Sequence, residues 1–384
     1  MTISVVIPTY NEAAVIQETL RRSAAALRGT GESFELVVVD DASPDGTAEK
    51  AEALAGELPV RVLRRAGRLG LATAVLDGWA TAHSEVLGAM DADLQHPPEV
   101  LGGLVAALRE QGADLAIASR YVPGGGSSDW TWLRRSISRT ATHMAATVLP
   151  LILARVGDPM SGMFLVRAAA LEGARLNPLG YKILIEVLAK AHYGKLVEVP
   201  YIFEERVRGS SKLGPRQYLE YLFHLARLAA ATGQLLGWVK YGAVGLTGAL
   251  LDVALVYLLV QRAAWHAAAA LPVAIQAALL SNFLANDRFT FHSAPASGPQ
   301  EAAIGGVLGS SAESRQPVWA RFLRYETVCL PGAILNALVT LVLFSLGGGV
   351  LVSAACGVVA GGVLNLLFNI PSIWRTWAPR PHSR

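Results

Sequence analysis

The pattern of apolar and polar positions changes character along this chain. Over the first 120 residues, short β-branched runs alternate with longer amphipathic ones. Residues 4–7, 36–39, 60–63, 86–89 and 115–118 have strand character, the first stopped by Pro8 and the second by Asp40-Asp41. Residues 13–27, 47–58 and 72–82 between them are rich in Ala, with apolar positions at helical spacing. Strands alternating with helices predict a parallel sheet covered on both faces. Ligands bind such sheets beyond the carboxyl ends of the strands. Four polar clusters fall there in register: Thr9-Tyr10-Asn11-Glu12, Asp40-Asp41-Ala42-Ser43, Asp91-Ala92-Asp93 and Ser119-Arg120-Tyr121.

After Trp238 the pattern becomes one of long apolar runs. Residues 241–260, 267–285, 328–346 and 350–370 are each long enough to span a hydrocarbon core of about 30 Å. They account for a composition that is 52 % hydrophobic and 16 % charged, with a mean hydropathy of +0.39. Lys240, Arg288, Arg321, Arg324, Arg375 and Arg380 flank one side of the four spans, and only Arg262 the other. Basic residues mark the cytoplasmic face. A multi-pass protein of the cell membrane of a prokaryote is therefore expected, with its front half cytoplasmic and no signal peptide ahead of the first strand. Residues 214–239, where Tyr, Leu and Phe alternate with His224 and Arg227, read as an interfacial helical segment. Residues 293–317, rich in Ala, Ser, Gly and Pro, read as a flexible cytoplasmic loop. Cys329 and Cys356 lie in or beside spans, which argues against a disulfide framework. The net charge of +3 suits an anionic membrane surface, and no motif calls for nucleic acid.

The spans also repeat. Gly248-Ala249 recurs as Gly332-Ala333 and Leu251-Asp252 as Leu335-Asn336, displaced by 84 residues (332 − 248). Asn282 and Asn286 recur as Asn365 and Asn369, displaced by 83 (365 − 282). Two copies of a helical hairpin are expected. Asp252 lies well inside its span, where a role as polar glue between helices is favoured over a lipid or ion pathway.

The stretch with most chemistry is Met-Asp-Ala-Asp-Leu-Gln-His-Pro-Pro-Glu at residues 90–99. In an extended strand end, residues i and i+2 point the same way, so Asp91 and Asp93 can meet one hard cation, with Gln95 adding a neutral oxygen. Mg²⁺ or Mn²⁺ held by one or two carboxylates, with diphosphate oxygens completing the shell, is the usual way to handle a nucleotide. A solvated acidic turn would account for a lone Asp-x-Asp; the register with three other clusters favours the metal.

Val-Val-Ile-Pro-Thr-Tyr-Asn-Glu (5–12), Val-Asp-Asp-Ala-Ser-Pro-Asp-Gly-Thr (39–47) and Arg-Leu-Gly-Leu-Ala-Thr-Ala (68–74) resemble the family 2 glycosyltransferases. With residues 90–99, Ser119-Arg120-Tyr121, Asp-Pro-Met-Ser-Gly-Met-Phe (158–164) and Arg-Gly-Ser-Ser-Lys-Leu (208–213), residues 1–213 resemble a polyprenol-phosphate (dolichol-phosphate) mannose synthase. Residues 281–291 resemble the GtrA-like membrane domain often joined to such synthases. The resemblance implies an α/β fold: a GT-A-type, Rossmann-like nucleotide-sugar domain over 1–213, then an all-α four-helix transmembrane domain over 240–384. It implies Pro8, Thr9, Tyr10, Glu12, Val39, Asp41 and Ala92 as nucleotide-sugar contacts, with Arg206 and Lys212 as a basic clamp on the diphosphate. Asp40 is as readily a turn residue as a ligand. Asp91, Asp93 and Gln95 would hold the metal, and Asp91, Asp93, Arg120 and Arg206 would carry the transfer. Ala72 stands where the family commonly has glycine, and no Gln-x-x-Arg-Trp motif of the processive polysaccharide synthases occurs.

A lipid monophosphate acceptor is already an oxyanion near neutral pH, with a second pKa of about 6 as in phosphoserine. It needs a cationic cradle rather than a base. Arg120, Arg134 and Ser138 are the phosphate contacts the resemblance points to, and Arg134 and Ser138 lie one helical turn apart. The expected reaction is inverting transfer of mannose from GDP-mannose to polyprenyl monophosphate at a bilayer. A UDP-sugar donor for another hexose remains open, and so does a lipid-linked-sugar carrier with a nucleotide-sugar-sensing front half.

Overall fold

The computed structural model describes residues 1–128, 139–140, 142, 144–153, 156–204, 215–290 and 317–368. Its contacts divide into two compact units.

The first unit is built on one sheet. Its chain runs β1 (Thr2–Thr9), α1 (Ile16–Arg28), β2 (Ser33–Asp40), α2 (Thr47–Glu52), β3 (Val60–Arg64), α3 (Leu71–Ala80), β4 (Val86–Ala89), α4 (Val100–Glu110) and β5 (Leu115–Ser119). A short β6 (Gly126–Ser127) precedes β7 (Phe164–Arg167), α5 (Ile183–Lys190), β8 (Leu196–Pro200), β9 (Ile202–Phe203) and α6 (Pro215–Ala231). Seven strands pair in the order β3-β2-β1-β4-β7-β5-β8. The strands read from the sequence are all present. β1, for example, is buried from Ile3 to Thr9, as expected of a strand covered on both faces.

The sheet is mixed rather than wholly parallel, because β7 enters antiparallel between β4 and β5. Gly88 makes room for it: a Cβ there would lie 2.5 Å from Leu165 Cδ2. Three strand ends turn through left-handed residues that are not glycine: Asn11 (φ 56°) after β1, Ala42 (φ 56°) after β2 and Leu94 (φ 59°) after β4. Such residues cost of order 1–3 kcal/mol each and gather at functional sites. The sequence order reverses at β1, which has β2 on one side and β4 on the other. These costly turns therefore surround the topological switch point, where doubly wound sheets bind their ligands.

The second unit is helical. Its main helices are α7 (Gln234–Tyr257), α8 (Ala267–Ala285), α9 (Val318–Ser345) and α10 (Val350–Phe368). Among the described residues, three stretches, Gln234–Arg262, Ala267–Phe289 and Val318–Ser345, are long and apolar enough to cross a membrane, and α10 adds a further apolar helix. α7 and α9 start well ahead of the spans expected at 241 and 328, so residues 234–239 belong to α7 rather than to the segment before it. Of the loop expected at 293–317, residues 293–316 lie outside the described residues. The four helices close a ring in which α7 and α9 each pack on α8 and α10.

The repeat has a packing cause. A Cβ on Gly248 would lie 2.5 Å from Asn282 Cγ, and one on Gly332 would lie 2.5 Å from Asn365 Cγ. Each hairpin thus seats the asparagine of its second helix on the glycine of its first. Across the ring, Asn336 Nδ2 donates to Asp252 Oδ2 at 2.8 Å, both residues buried. That contact supports the polar-glue role for Asp252.

Candidate active site

The carboxyl end of β4 leads straight into Asp91-Ala92-Asp93-Leu94-Gln95. The left-handed Leu94 folds this segment back on itself, and Gln95 N–H donates to Asp93 Oδ1 at 3.1 Å. Gln95 is buried and its Nε2 donates to the Glu204 carbonyl at 3.2 Å, which leaves the amide oxygen side of the group turned from that contact. Ala92 is buried, and its carbonyl accepts from Thr19 Oγ1 at 2.8 Å, anchoring the turn to α1. Asp91 is 30 % exposed. The loop before β7 lies directly against it: a Cβ on Gly162 would sit 2.7 Å from Asp91 Cγ. Asp91 also lines a cavity with Pro8, Ser161, Gly162, Tyr181 and Lys182.

Among the described residues no three His, Cys, Asp or Glu side chains cluster as a metal cage. Two carboxylates and an amide on one turn fit instead a hard ion that takes its remaining ligands from a diphosphate and water. They do not fit a structural zinc site.

The ends of β1 and β2 are tied to each other. Asp40 is a turn residue: its carboxylate accepts from Thr9 Oγ1 (2.8 Å), Ser43 N–H (2.8 Å) and Ser43 Oγ (2.6 Å). Thr9 therefore spends its hydroxyl on Asp40, and Val39 has its side chain in the core. Tyr10 has the Arg68 guanidinium 4.5 Å above its ring. Glu12 caps α1 through its carbonyl, while its N–H donates to Thr47 Oγ1 at 2.9 Å. Asp41 is buried against Arg65 at 2.6 Å and accepts from Gly70 N–H at 2.9 Å, which pins the loop entering α3.

Arg120, at the end of β5, is gripped by Asp158. Nε donates to Asp158 Oδ2 at 2.7 Å and Nη2 to Oδ1 at 2.8 Å, with the Arg120 N–H adding 3.1 Å. Glu198 orients the Asp158 segment by accepting from the Gly157 and Asp158 N–H groups. Burial disfavours charge on Arg120, but the Asp158 hydrogen bonds and charge outweigh it and raise the guanidinium pKa. The Phe203 ring lies 5.3 Å from the guanidinium. Arg134, Ser138, Arg206 and Lys212 lie outside the described residues.

Two site neighbours were not singled out from the sequence. Lys182 Nζ donates to the Met160 carbonyl at 2.6 Å; burial lowers its pKa against the opposing pull of Asp91. His96, inside the 90–99 motif, is buried and stacks on Tyr201 with centroids 5.1 Å apart. Burial first, then Arg120 and Lys182, hold its pKa well below the usual histidine range. The signal for His96 was its place in that motif; nothing local marks Lys182.

Comparison with known proteins shows the family to which the chain belongs. Residues 4–173 match the model of glycosyl transferase family 2, and residues 240–375 that of the GtrA/DPMS transmembrane domain. A "Dolichol-phosphate mannosyltransferase" of Pyrococcus furiosus is 39 % identical over 98 % of this chain and 100 % of its own. One from Saccharomyces cerevisiae is 39 % identical over 59 % of this chain and 86 % of its own. A "Polyprenol monophosphomannose synthase" of Mycolicibacterium smegmatis is 37 % identical over 58 % and 84 %. A solved glucosyl-3-phosphoglycerate synthase from Mycobacterium tuberculosis, in complex with Mn²⁺ and UDP, aligns at 23 % identity over 60 % of this chain and 80 % of that one, TM-score 0.46. The chain is a membrane hexosyltransferase and belongs to the family 2 glycosyltransferases, among the dolichol-phosphate mannosyltransferases.

Proposed function

We propose that the protein transfers mannose from GDP-mannose to polyprenyl monophosphate, with inversion at the anomeric carbon. The observation that carries this reading is that Lys182 lies within electrostatic reach both of Asp91 and Asp93, beyond the end of β4, and of the Arg120–Asp158 pair, at the end of β5. Likeness over 98 % of the chain to a protein named for mannosyl transfer with dolichol phosphate supports the acceptor and the sugar.

In this reading Asp91, Asp93 and Gln95 hold Mg²⁺ or Mn²⁺ on the donor diphosphate. The bound ion would act as a Lewis acid that neutralises charge on the departing nucleotide diphosphate. Pro8, Tyr10, Glu12, Asp41 and the Ala92 backbone border the nucleotide, and Arg206 and Lys212 close on its diphosphate. Thr9 and Val39 act behind them, by fixing the ends of β1 and β2. Arg120 faces the acceptor phosphate from one side while Asp158 keeps its fork in place, and Arg134 and Ser138 complete the cradle. The phosphate attacks as an oxyanion, so the chemistry asks for charge neutralisation and alignment rather than a base. Attack in line with the departing diphosphate turns an α-linked donor into a β-linked product.

The catalytic unit is cytoplasmic in this reading. Arg321 and Asp287 pair at 3.1 Å, which brings the end of the α8 segment and the start of α9 to one end of the bundle. The basic residues of both segments then share one face.

A transfer assay on the purified, detergent-solubilised chain tests the proposal. Polyprenyl phosphate is offered with GDP-mannose, UDP-glucose or UDP-N-acetylglucosamine, each with Mn²⁺, Mg²⁺ or chelator. Metal-dependent mannosyl transfer is expected. Transfer from a UDP-sugar alone would replace the donor, and transfer untouched by chelator would remove the metal.

A further inference from the structure

We propose that His96 is a positioning residue for Asp91: its imidazole N–H orients the carboxylate that meets the metal. This rests on the reading of Asp91 as a metal-holding group. The tautomer is set by the loop before β7, where Gly162 N–H donates to His96 Nε2 at 3.3 Å. An imidazole that accepts at Nε2 and stays neutral carries its proton on Nδ1. The ring is packed between two aromatic neighbours. It stacks on Tyr201 and meets the Phe203 edge at 5.2 Å and 80°.

Nδ1 is buried and finds no hydrogen-bond partner. The carboxylate oxygen it faces, Asp91 Oδ2, stands 3.9 Å away, just beyond bonding range. A buried N–H without an acceptor is costly, and packing between two aromatic rings would be met as well by phenylalanine. The same proton has an immediate use. A shift of the partly exposed Asp91 by about 1 Å brings Oδ2 within the ordinary N–H···O distance of about 2.9 Å. One carboxylate oxygen is then fixed by His96 while the other is presented to the cation. Carboxylate ligands are commonly oriented in this way, and losing the orienting group costs 10–100-fold in metal affinity.

Two variants separate this role from packing. His96→Phe keeps the stacked ring without the donor, and His96→Asn places an amide N–H near the Nδ1 position without the ring. Mn²⁺ binding is measured by electron paramagnetic resonance in the presence of GDP or UDP, with no acceptor and no turnover. His96→Phe is expected to weaken Mn²⁺ binding by about 10–100-fold, and His96→Asn to recover most of it. Wild-type affinity in His96→Phe, or equal losses in both variants, would overturn the inference while leaving the metal reading intact. No Mn²⁺ binding by the wild type with either nucleotide would overturn both. The wild type gives a second readout free of folding defects. With ¹⁵N-labelled histidine, the His96 Nδ1–H proton is expected to move downfield on adding Mg²⁺ and the nucleotide that binds. A resonance that does not move would refute the hydrogen bond.

Discussion

Gly162→Ala tests the geometry of the site more sharply than removing a ligand. The backbone of Gly162 lies outside the left-handed region, so alanine fits the chain itself, and its N–H to His96 is kept. The new Cβ would lie 2.7 Å from Asp91 Cγ. Ordinary contact begins near 3.4 Å and Asp91 Oδ2 would lie closer still than Cγ, so the carboxylate must retreat by at least about 0.7 Å (3.4 − 2.7). Asp91 is partly exposed and can move into solvent, so stability should change by less than about 1 kcal/mol. Catalysis is less forgiving, because a misplacement of about 1 Å can cost about 10²-fold. That loss corresponds to about 2.7 kcal/mol of transition-state stabilisation. The assay is kcat/KM for mannosyl transfer alongside a thermal melt, with Gly102→Ala as control. Gly102 lies in α4 with nothing near its Cβ position, so alanine there should leave transfer unchanged. Wild-type transfer by well-folded Gly162→Ala would refute the placement of Asp91 at the reacting centre.

Other perturbations read different parts of the molecule. Asp158→Ala strands a buried guanidinium, 8 % exposed in the pair, and should cost about 3–5 kcal/mol in a denaturant or thermal melt; Asp158→Asn should cost less. His224, buried on α6 with Nε2 3.4 Å from Glu186 Oε2, has its pKa pushed down to about 4, chiefly by burial. The unfolded chain binds that proton below about 6.5 and the folded chain does not. The first unit should therefore lose stability as pH falls from about 6.5 towards 4, by at most about 3 kcal/mol, and His224→Leu should flatten that slope in a pH series of melts. In the membrane unit, Asp252→Asn keeps a polar pair with Asn336 and should retain most of the melting temperature in detergent, whereas Asp252→Leu strands the buried amide and should lower it. Equal melting of both variants would remove the glue role.

Much of the fold was legible because burial on both faces writes strands as unbroken apolar runs. β1 and β2 are examples, and their polar stops mark the ligand edge. β7 was harder: Phe164–Arg167 is only four residues long, and it pairs by setting Leu165 against Gly88 far back in the chain. The carboxylates of the site were legible because an i, i+2 pair at a strand end is a local pattern. Their supports were not. Arg120 finds Asp158 38 residues on, and Asp41 finds Arg65 24 residues on. Lys182 reaches the cavity from the turn before α5. No local period encodes such meetings. Ala42 and Leu94 are illegible for another reason, since neither residue type favours the left-handed backbone that each adopts. Asp40 reads from the sequence as either a ligand or a turn residue, and the three hydrogen bonds it accepts show it holding the turn.

The membrane repeat shows how a sequence period becomes a packing rule. In a ring of two related hairpins, equivalent positions meet only where the axis relating the copies passes. Asp252 and Asn336 are equivalent, and they bond to each other across the ring, between α7 and α9. Two aspartates there would place like charges together in an apolar interior, at high cost. An aspartate facing an asparagine keeps a donor and an acceptor in register. The position where the copies meet is thus one that two aspartates would serve worst, and the asparagine in one copy supplies the donor that the aspartate lacks. The glycines obey the opposite logic. Gly248 and Gly332 lie within a hairpin rather than between hairpins, each seats its own asparagine, and both copies keep the same pair.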